Sequence, residues 1–418
     1  VSPPPSPPAA PPPPASSATA STVNAWISIG PDETITIEVG SAEVGQGVST
    51  SLVQIVAEEL QAKWSQVKFA FAPADPTFAN FATHQQLTGG SMSVRGYYDG
   101  LRAVGAAARE MLKSAAALTW GVPVSSCTAA NGAVTAVFGG ITHTLTYGAL
   151  AVKAATLPVP ANAPLLPTSA FRLIGQSLTR LDLAPKTTGA AIFGIDVRVP
   201  GMLYAGIKHC PQIGGTVASV PKTPSGAVAV VPLGNAVAVV VNDTTWHAIQ
   251  AARGLKVAWS IPGSVSALTD SAILATAQSL MTGGTAAVAE TVGNSAAAFA
   301  GAPLQFSETY GVPYLAHATL EPLNCTASVT ATSCEIWAPT QAAGLVAATA
   351  ASITGLPANK ITVHTTFLGG GLGRKFEQDF IAQAIKVAKA VQQPVKLVWS
   401  REEDFTNDQY RPMALARV

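Results

Sequence analysis

The chain has 418 residues, of which 11% are charged, against roughly 25% in an average soluble domain. That length allows two or three domains with a substantial core. A formal net charge of +1 argues against an electrostatic role on nucleic acid or a membrane surface, and no uncharged apolar run reaches the ~18 residues needed to cross a bilayer.

The opening stretch "VSPPPSPPAAPPPPASSATAS", residues 1–21, is too rich in proline to build a core and reads as an extended tether. A chain that begins at Val1 is expected to have lost something upstream, such as an export signal or anchor, with an expression boundary as the plain alternative. Next, "AWISIGPDETITIEVG" predicts two strands around a Pro-Asp turn. A glycine corner then feeds a helix at "EVGQGVSTSLVQIVAEEL". Val48, Leu52, Ile55, Val56 and Leu60 recur at helical spacing there, with Ser49 or Thr50 as cap.

The same device recurs at Gly89-Gly90-Ser91, ahead of a helix whose buried face is Leu101, Val104, Ala108, Met111 and Leu112. A Thr/Val-rich strand region follows, and "LPVPANAPLLPTSA" reads as a Pro/Ala linker. Short strands come next, among them "GAVAVVPLGNAVAVVV", two buried strands joined by a turn, and a helix near "TTWHAIQAARGL". In the last third, strands alternate with two helices. One of these starts from the corner Gly369-Gly370-Gly371 with Gly373 and carries the stripe Phe376, Phe380, Ile381, Ile385 and Ala388, ending before Pro394.

Glycine corners let a ligand approach the backbone, and the helix behind each presents unpaired N–H groups and the positive end of its dipole. Arg95, Arg374 and Lys375 add positive charge at two corners. Any single corner is a common packing device; three in one chain point to a shared large anionic ligand, such as a phosphorylated cofactor. "GGGLGRKF" is neither a P-loop, since Phe376 follows Lys375, nor a dinucleotide fingerprint, since Arg374 stands where the last glycine belongs. No G-x-S-x-G occurs, and the six histidines form no metal-binding pair, so most read as satisfied or surface residues. Cys325 and Cys334 flank a hairpin-like segment and are expected either to form a disulfide or to be two inert buried thiols.

Taken together, "EVGQGVSTSLVQIVAEEL", "TGGSMSVRG", "RLDLAPKTTGAAIFGIDVRVPGMLYAGI", "HATLEPLNCTA", "IWAPTQ", "LGGGLGRKFEQDF" and "VKLVWSREEDF" resemble the molybdenum-cofactor-binding large subunit of the xanthine dehydrogenase/aldehyde oxidoreductase family. Within it, the order of the glycine motifs resembles the isoquinoline 1-oxidoreductase and membrane-associated aldehyde dehydrogenase branch. The resemblance implies a multi-domain α+β fold. It places a first molybdenum-cofactor-binding segment at 22–165, a small α/β hammerhead domain at 166–270 and a second, incomplete cofactor-binding segment at 271–418.

It also implies roles. Gln341 is the glutamine that hydrogen-bonds an oxygen ligand of molybdenum. Gly371, Leu372 and Gly373 set backbone amides beside metal and pterin, with Leu372 where this branch commonly has Phe. Gly45, Gln46, Gly47, Gly90, Ser91 and Ser93 hold the pterin and its phosphates. No G-x-G-E motif for the family's glutamate base is found, and Glu402 and Glu403 of "REED" read as a solvated helix start. The implied activity is oxidation of aldehydes to carboxylic acids, or hydroxylation of an N-heterocycle such as isoquinoline or nicotinate; a non-catalytic scaffold is the third reading. The implied cofactor is molybdopterin, as its cytosine dinucleotide. The implied partners are a small [2Fe-2S] subunit, a multihaem cytochrome c subunit with haem c, and the remaining part of the large subunit. The implied place is the periplasm, at the membrane.

Overall fold

Alternate residues of Ile27–Ile29 and Ile35–Val39 are buried, the period-two pattern of strands with one wet face. In the computed structural model, which describes residues 20–283 and 285–418, they lie in a four-stranded sheet. Its order is β1 (Ser21–Asn24), β2 (Ile27–Ile29), β3 (Ile35–Val39) and β4 (Val67–Phe71), with β3 and β4 parallel. The expected Pro-Asp turn joins β2 to β3, with Asp32 Oδ1 accepting from the Thr34 N–H at 3.1 Å. The tether expected at 1–21 lies outside the described residues apart from Ala20 and Ser21, and Ser21 already belongs to β1.

Between β3 and β4 runs α1 (Val48–Leu60), and its five predicted stripe residues are all buried. Against it packs α2 (Met92–Trp120), which buries Leu101, Ala108, Met111 and Leu112, with Val104 partly covered. The two helices approach closely because Gly105 has no side chain: a Cβ there would sit 2.5 Å from the Val56 carbonyl oxygen. A three-stranded sheet of β5 (Cys127–Ala130), β6 (Ala133–Phe138) and β7 (Ile141–Thr146), followed by α3 (Tyr147–Ala154), completes this core. The Pro/Ala stretch is tied down here. Leu166 N–H donates to the buried Glu59 carboxylate at 3.0 Å, and Arg102 donates to the Leu166 carbonyl at 2.7 Å.

The chain divides into two compact units. Among the described residues, unit 1 comprises 20–205, 242–245 and 319–398; unit 2 comprises 206–241, 246–283, 285–318 and 399–418. Besides the elements above, unit 1 holds strands Val395–Val398, Asn324–Val329, Cys334–Ala338 and Ile361–Thr365 side by side in that order. The last two are parallel, and helix Ala343–Thr354 makes the crossover that a parallel pair requires. Helix Asp379–Val391 buries Phe380, Ile381, Ile385 and Ala388 and stops before Pro394, as its periodicity predicts.

Unit 2 contains the predicted buried hairpin, Ala229–Pro232 against Ala236–Val241, and a ribbon of Thr309–Val312 with Ala414–Arg417. Within it His209 Nδ1 meets Glu403 at 2.8 Å and His317 Nδ1 meets Asp408 at 3.1 Å, so these histidines are satisfied and Glu403 serves a structural contact. The mixture of helices and sheets in two units is the multi-domain α+β architecture expected.

All four cysteines are free and buried. Cys334 pairs across the ladder with Val329, which leaves Cys325 four residues out of register, beyond the ~7 Å Cα separation a disulfide can bridge. The disulfide expectation is therefore corrected in favour of inert thiols, and burial pushes the Cys334 thiol up to about 11. Among the described residues no helix is long and apolar enough to cross a membrane.

Candidate functional site

The three glycine corners, far apart in sequence, are tied into one ring of hydrogen bonds within unit 1. Ala42 N–H, at the first corner, donates to Thr88 Oγ1 at 2.8 Å. The Thr88 carbonyl, at the second, accepts from Gln341 Nε2 at 2.9 Å, and Gln341 Oε1 accepts from Gly373 N–H, at the third, at 3.1 Å. Leu368 N–H then returns to the Glu43 carbonyl at 3.3 Å. Gln341 is the knot: both ends of its amide and both its backbone groups are engaged, the latter with Lys375 O and Thr88 N. Gly371 is glycine because a Cβ there would lie 2.5 Å from Gln341 Oε1.

At the first corner the structure departs from the expectation of open donors. Gly47 caps α1 at φ 85°, a left-handed backbone that suits glycine, and neither Ser49 nor Thr50 caps the helix. The buried Glu43 carboxylate does so instead. Its Oε1 accepts from Gly45 N–H at 2.8 Å and Gly47 N–H at 3.0 Å; its Oε2 accepts from Ser49 N–H at 3.0 Å and the Ser49 hydroxyl at 2.8 Å. Arg180 closes the group from outside, donating to Glu43 at 3.3 Å, to the Gly45 carbonyl at 3.1 Å and to both Asp182 oxygens. Burial raises the Asp182 carboxyl, but hydrogen bonds from Arg180 and Lys186 outweigh it and hold the group down to about 2. Gln46 is exposed, with its amide folded onto Val44 N–H and Ala42 O.

The third corner repeats the principle with a second buried carboxylate. Glu321 accepts from Gly369 N–H at 2.9 Å, Ile195 N–H at 3.0 Å, Asn324 Nδ2 at 3.1 Å and Lys375 Nζ at 2.5 Å. Arg374 forms a two-pronged pair with Asp379 at 2.9 and 2.7 Å. Both cations are fully buried, so they brace the loop from behind and do not project their charge to a ligand as the sequence suggested. Beneath them, the buried Lys396 donates to the Ile195 carbonyl at 2.6 Å, and burial, reinforced by Arg198, pulls its ammonium down to about 7. In front, the N–H groups of Gly370, Gly371 and Leu372 have no acceptor among the described residues. Leu372 holds φ at 54° and exposes 70% of its surface.

The second corner has no internal carboxylate. Ser91 precedes α2 in a left-handed conformation and makes no cap, and the N–H groups of Ser93 and Val94 meet no acceptor among the described residues. A missing cap costs a helix about 1 kcal/mol, and a ligand can supply it. Gly89, Gly90 and Ser91 are exposed, as is Arg95, while the Ser93 hydroxyl meets Ser41 at 3.1 Å. A small pocket beside Gln341, lined by Ser41, Gln86, Thr88 and Thr340 among others, is about 10 Å³, room for one water.

Of the residues the sequence singled out, Gly45, Gln46, Gly47, Gly90, Ser91, Ser93, Gln341, Gly371, Leu372 and Gly373 all lie on loops of this one ring or beside it. Glu43, Arg180 and Glu321 are not singled out by the sequence. Glu43 had one local signal, an acid two residues before a glycine corner; Glu321 and Arg180 lie 48 and 135 residues from the corner residues they contact, so nothing local marked them.

Two family models, each described as a molybdopterin cofactor-binding domain, match residues 9–194 and 281–418. A membrane-bound aldehyde dehydrogenase (pyrroloquinoline quinone) of Gluconacetobacter polyoxogenes is 32% identical over 412 residues, covering 94% of this chain and 52% of its own length. The beta component of isoquinoline 1-oxidoreductase from Brevundimonas diminuta is 31% identical, covering 96% of this chain and 57% of its own. A nicotinate dehydrogenase component of Pseudomonas putida is 30% identical, covering 91% and 32%. The chain thus spans about half the length of the first two relatives and a third of the last.

Proposed function

Because the chain belongs to the molybdopterin cofactor-binding family, alongside components of aldehyde dehydrogenase and N-heterocycle oxidoreductases, we propose that it is the molybdopterin-holding subunit of a molybdenum hydroxylase that oxidises aldehydes to carboxylic acids. The observation that carries this is the convergence of three glycine corners through Gln341, with unserved backbone N–H groups at Gly370–Leu372 and at the start of α2. Those donors fit a group rich in phosphate and metal-bound acceptors.

When bound, a molybdenum cofactor supplies two-electron redox and Lewis-acid chemistry. This chain's part is to bind and orient. Gly371, Leu372 and Gly373 would face the metal end, and Gln341 would hold both them and Thr88 in register. Gly90, Ser91 and Ser93, at the one uncapped corner, would take the phosphates. Gly45, Gln46 and Gly47 would hold the pterin by contact with a pre-formed loop, since their own N–H groups are already largely engaged by Glu43.

We assign the cofactor as the cytosine dinucleotide form and the general base to a further polypeptide. The proposed partners are a small [2Fe-2S] subunit, a multihaem cytochrome c subunit and the remaining part of the large subunit, in a periplasmic, membrane-associated complex. Residues 22–165 and 271–418 are proposed as the cofactor-binding segments and 166–270 as an α/β hammerhead domain. The likeness to isoquinoline and nicotinate oxidoreductases supports a second reading, hydroxylation of an N-heterocycle.

Metal and pterin analysis of the purified complex, with identification of its polypeptides, tests the proposal. Molybdenum and a pterin in equal amounts are expected; a fully assembled complex without molybdenum, or holding only pyrroloquinoline quinone, overturns it. Gln341→Ala should lower turnover while leaving assembly intact, and unchanged kinetics would remove Gln341 from the site. Parallel assays on an aliphatic aldehyde and on isoquinoline separate the two readings.

A further inference from the structure

We propose that Glu43 is a positioning residue, the built-in anion of the first glycine corner: it fixes the Gly45–Gly47 loop and keeps the start of α1 closed to phosphate. Helix starts of this kind recruit anions because their first N–H groups lack partners. Here the carboxylate accepts from Gly45, Gly47 and Ser49 N–H and from the Ser49 hydroxyl, and Glu43 itself is fully buried. One neutral amide has a single acceptor oxygen and cannot serve four donors plus a guanidinium, so the negative charge is what holds the loop.

The contact also reaches the rest of the ring. The Glu43 carbonyl receives Leu368 N–H, one residue before the third corner, and its neighbour Ala42 donates to Thr88 at the second. Arg180, Asp182 and Lys186 form the outer layer, with Arg180 shared between Glu43 and Asp182 at 3.3 and 2.7 Å and Lys186 on Asp182 at 2.7 Å. Of the three corners, the first therefore arrives with its charge already balanced, the third leans on Glu321 from behind, and the second has no carboxylate of its own.

The relevance of this to cofactor retention rests on the proposed function, but the closure of the loop does not, and the test separates them. Glu43→Gln, Glu43→Ala and Arg180→Met are made in the full protein with whatever subunits it carries. Hydrogen–deuterium exchange is followed on the segment 44–49, and molybdenum is counted after gel filtration. Exchange of this segment should rise at least tenfold in Glu43→Gln despite the matched shape, and less in Arg180→Met. Acetate should restore slow exchange in Glu43→Ala where the neutral isostere acetamide does not, a distinction that a packing role would not produce.

Inorganic phosphate should slow exchange at 44–49 in Glu43→Ala and leave the wild type unchanged. Wild-type exchange rates in Glu43→Gln, or equal rescue by acetamide and acetate, overturn the proposal. If Glu43→Ala fails to fold, Arg180→Met and Glu43→Gln decide it by the same measurement. If the wild type holds no molybdenum, the cofactor reading falls while the exchange experiment still judges Glu43.

Discussion

Replacing Lys396 by Met should make the protein more stable below neutral pH and less stable in strong base. Lys396 is fully buried on strand Val395–Val398, with Arg198 repelling its charge and Asp196 and Glu321 attracting it. Burial is the dominant effect, and the ammonium titrates at about 7, against its ordinary 10.5. Between those two values the unfolded chain binds the proton and the folded one does not, so stability rises with pH across that window; below 7 both states are charged and the full cost is present. At ~1.4 kcal/mol per unit, the difference sets a ceiling of about 5 kcal/mol.

Met keeps the apolar stem but abandons the hydrogen bond to the Ile195 carbonyl, at about 1–3 kcal/mol. The variant should therefore gain about 2–4 kcal/mol at pH 6 and lose about 1–3 kcal/mol near pH 10.5, with a crossover between. Urea denaturation of wild type and variant at unit pH steps from 6 to 10 reads this directly. Parallel pH profiles for the two proteins, or a variant equally destabilised at both ends, would refute the reasoning.

Other outcomes follow from the same network. Glu321→Gln removes the carboxylate paired with the buried Lys375 ammonium and should cost about 3–5 kcal/mol in denaturant titration, most of it recovered in the double variant with Lys375→Met. Asp182, held at about 2 against an ordinary 3.8, contributes stability that is fully present above 3.8 and lost as pH falls through about 2. Thermal melts from pH 5 to 2 should show that loss in the wild type, and Asp182→Asn should show much less of it. Thiol titration in denaturant without reductant should find four free groups, and melting should be identical with and without dithiothreitol; fewer groups would restore the Cys325–Cys334 bridge.

The backbone plan of the site was largely legible from the residues. Apolar stripes marked α1, α2 and helix Asp379–Val391, and the glycines marked the three corners, because periodicity and backbone freedom are local properties. The direction of charge was not. Arg374 and Lys375 follow a glycine loop and look like ligand contacts, yet they point into the core, where Asp379 and Glu321 neutralise them. Glu321 is 54 residues from Lys375 in the chain, and no local rule connects them. Ser49 failed as a cap for the same reason: a carboxylate six residues upstream outcompeted its hydroxyl for the helix N–H groups. Likewise, Cys325 and Cys334 flank a hairpin in sequence, but strand register keeps them apart.

Leu372 holds a left-handed backbone with φ at 54°, while most of its side chain points into open space. That combination separates two demands that usually compete. The loop's shape is imposed by Gly371, Gln341 and the buried pairs behind it, so side chains other than proline and the β-branched residues could occupy position 372 at a backbone cost of about 1–2 kcal/mol that Leu already bears. Such a position can drift under selection without endangering the fold, and it stands beside the donors proposed to face the reacting end of the ligand. For directed evolution, it is the first place to randomise when a different substrate is wanted.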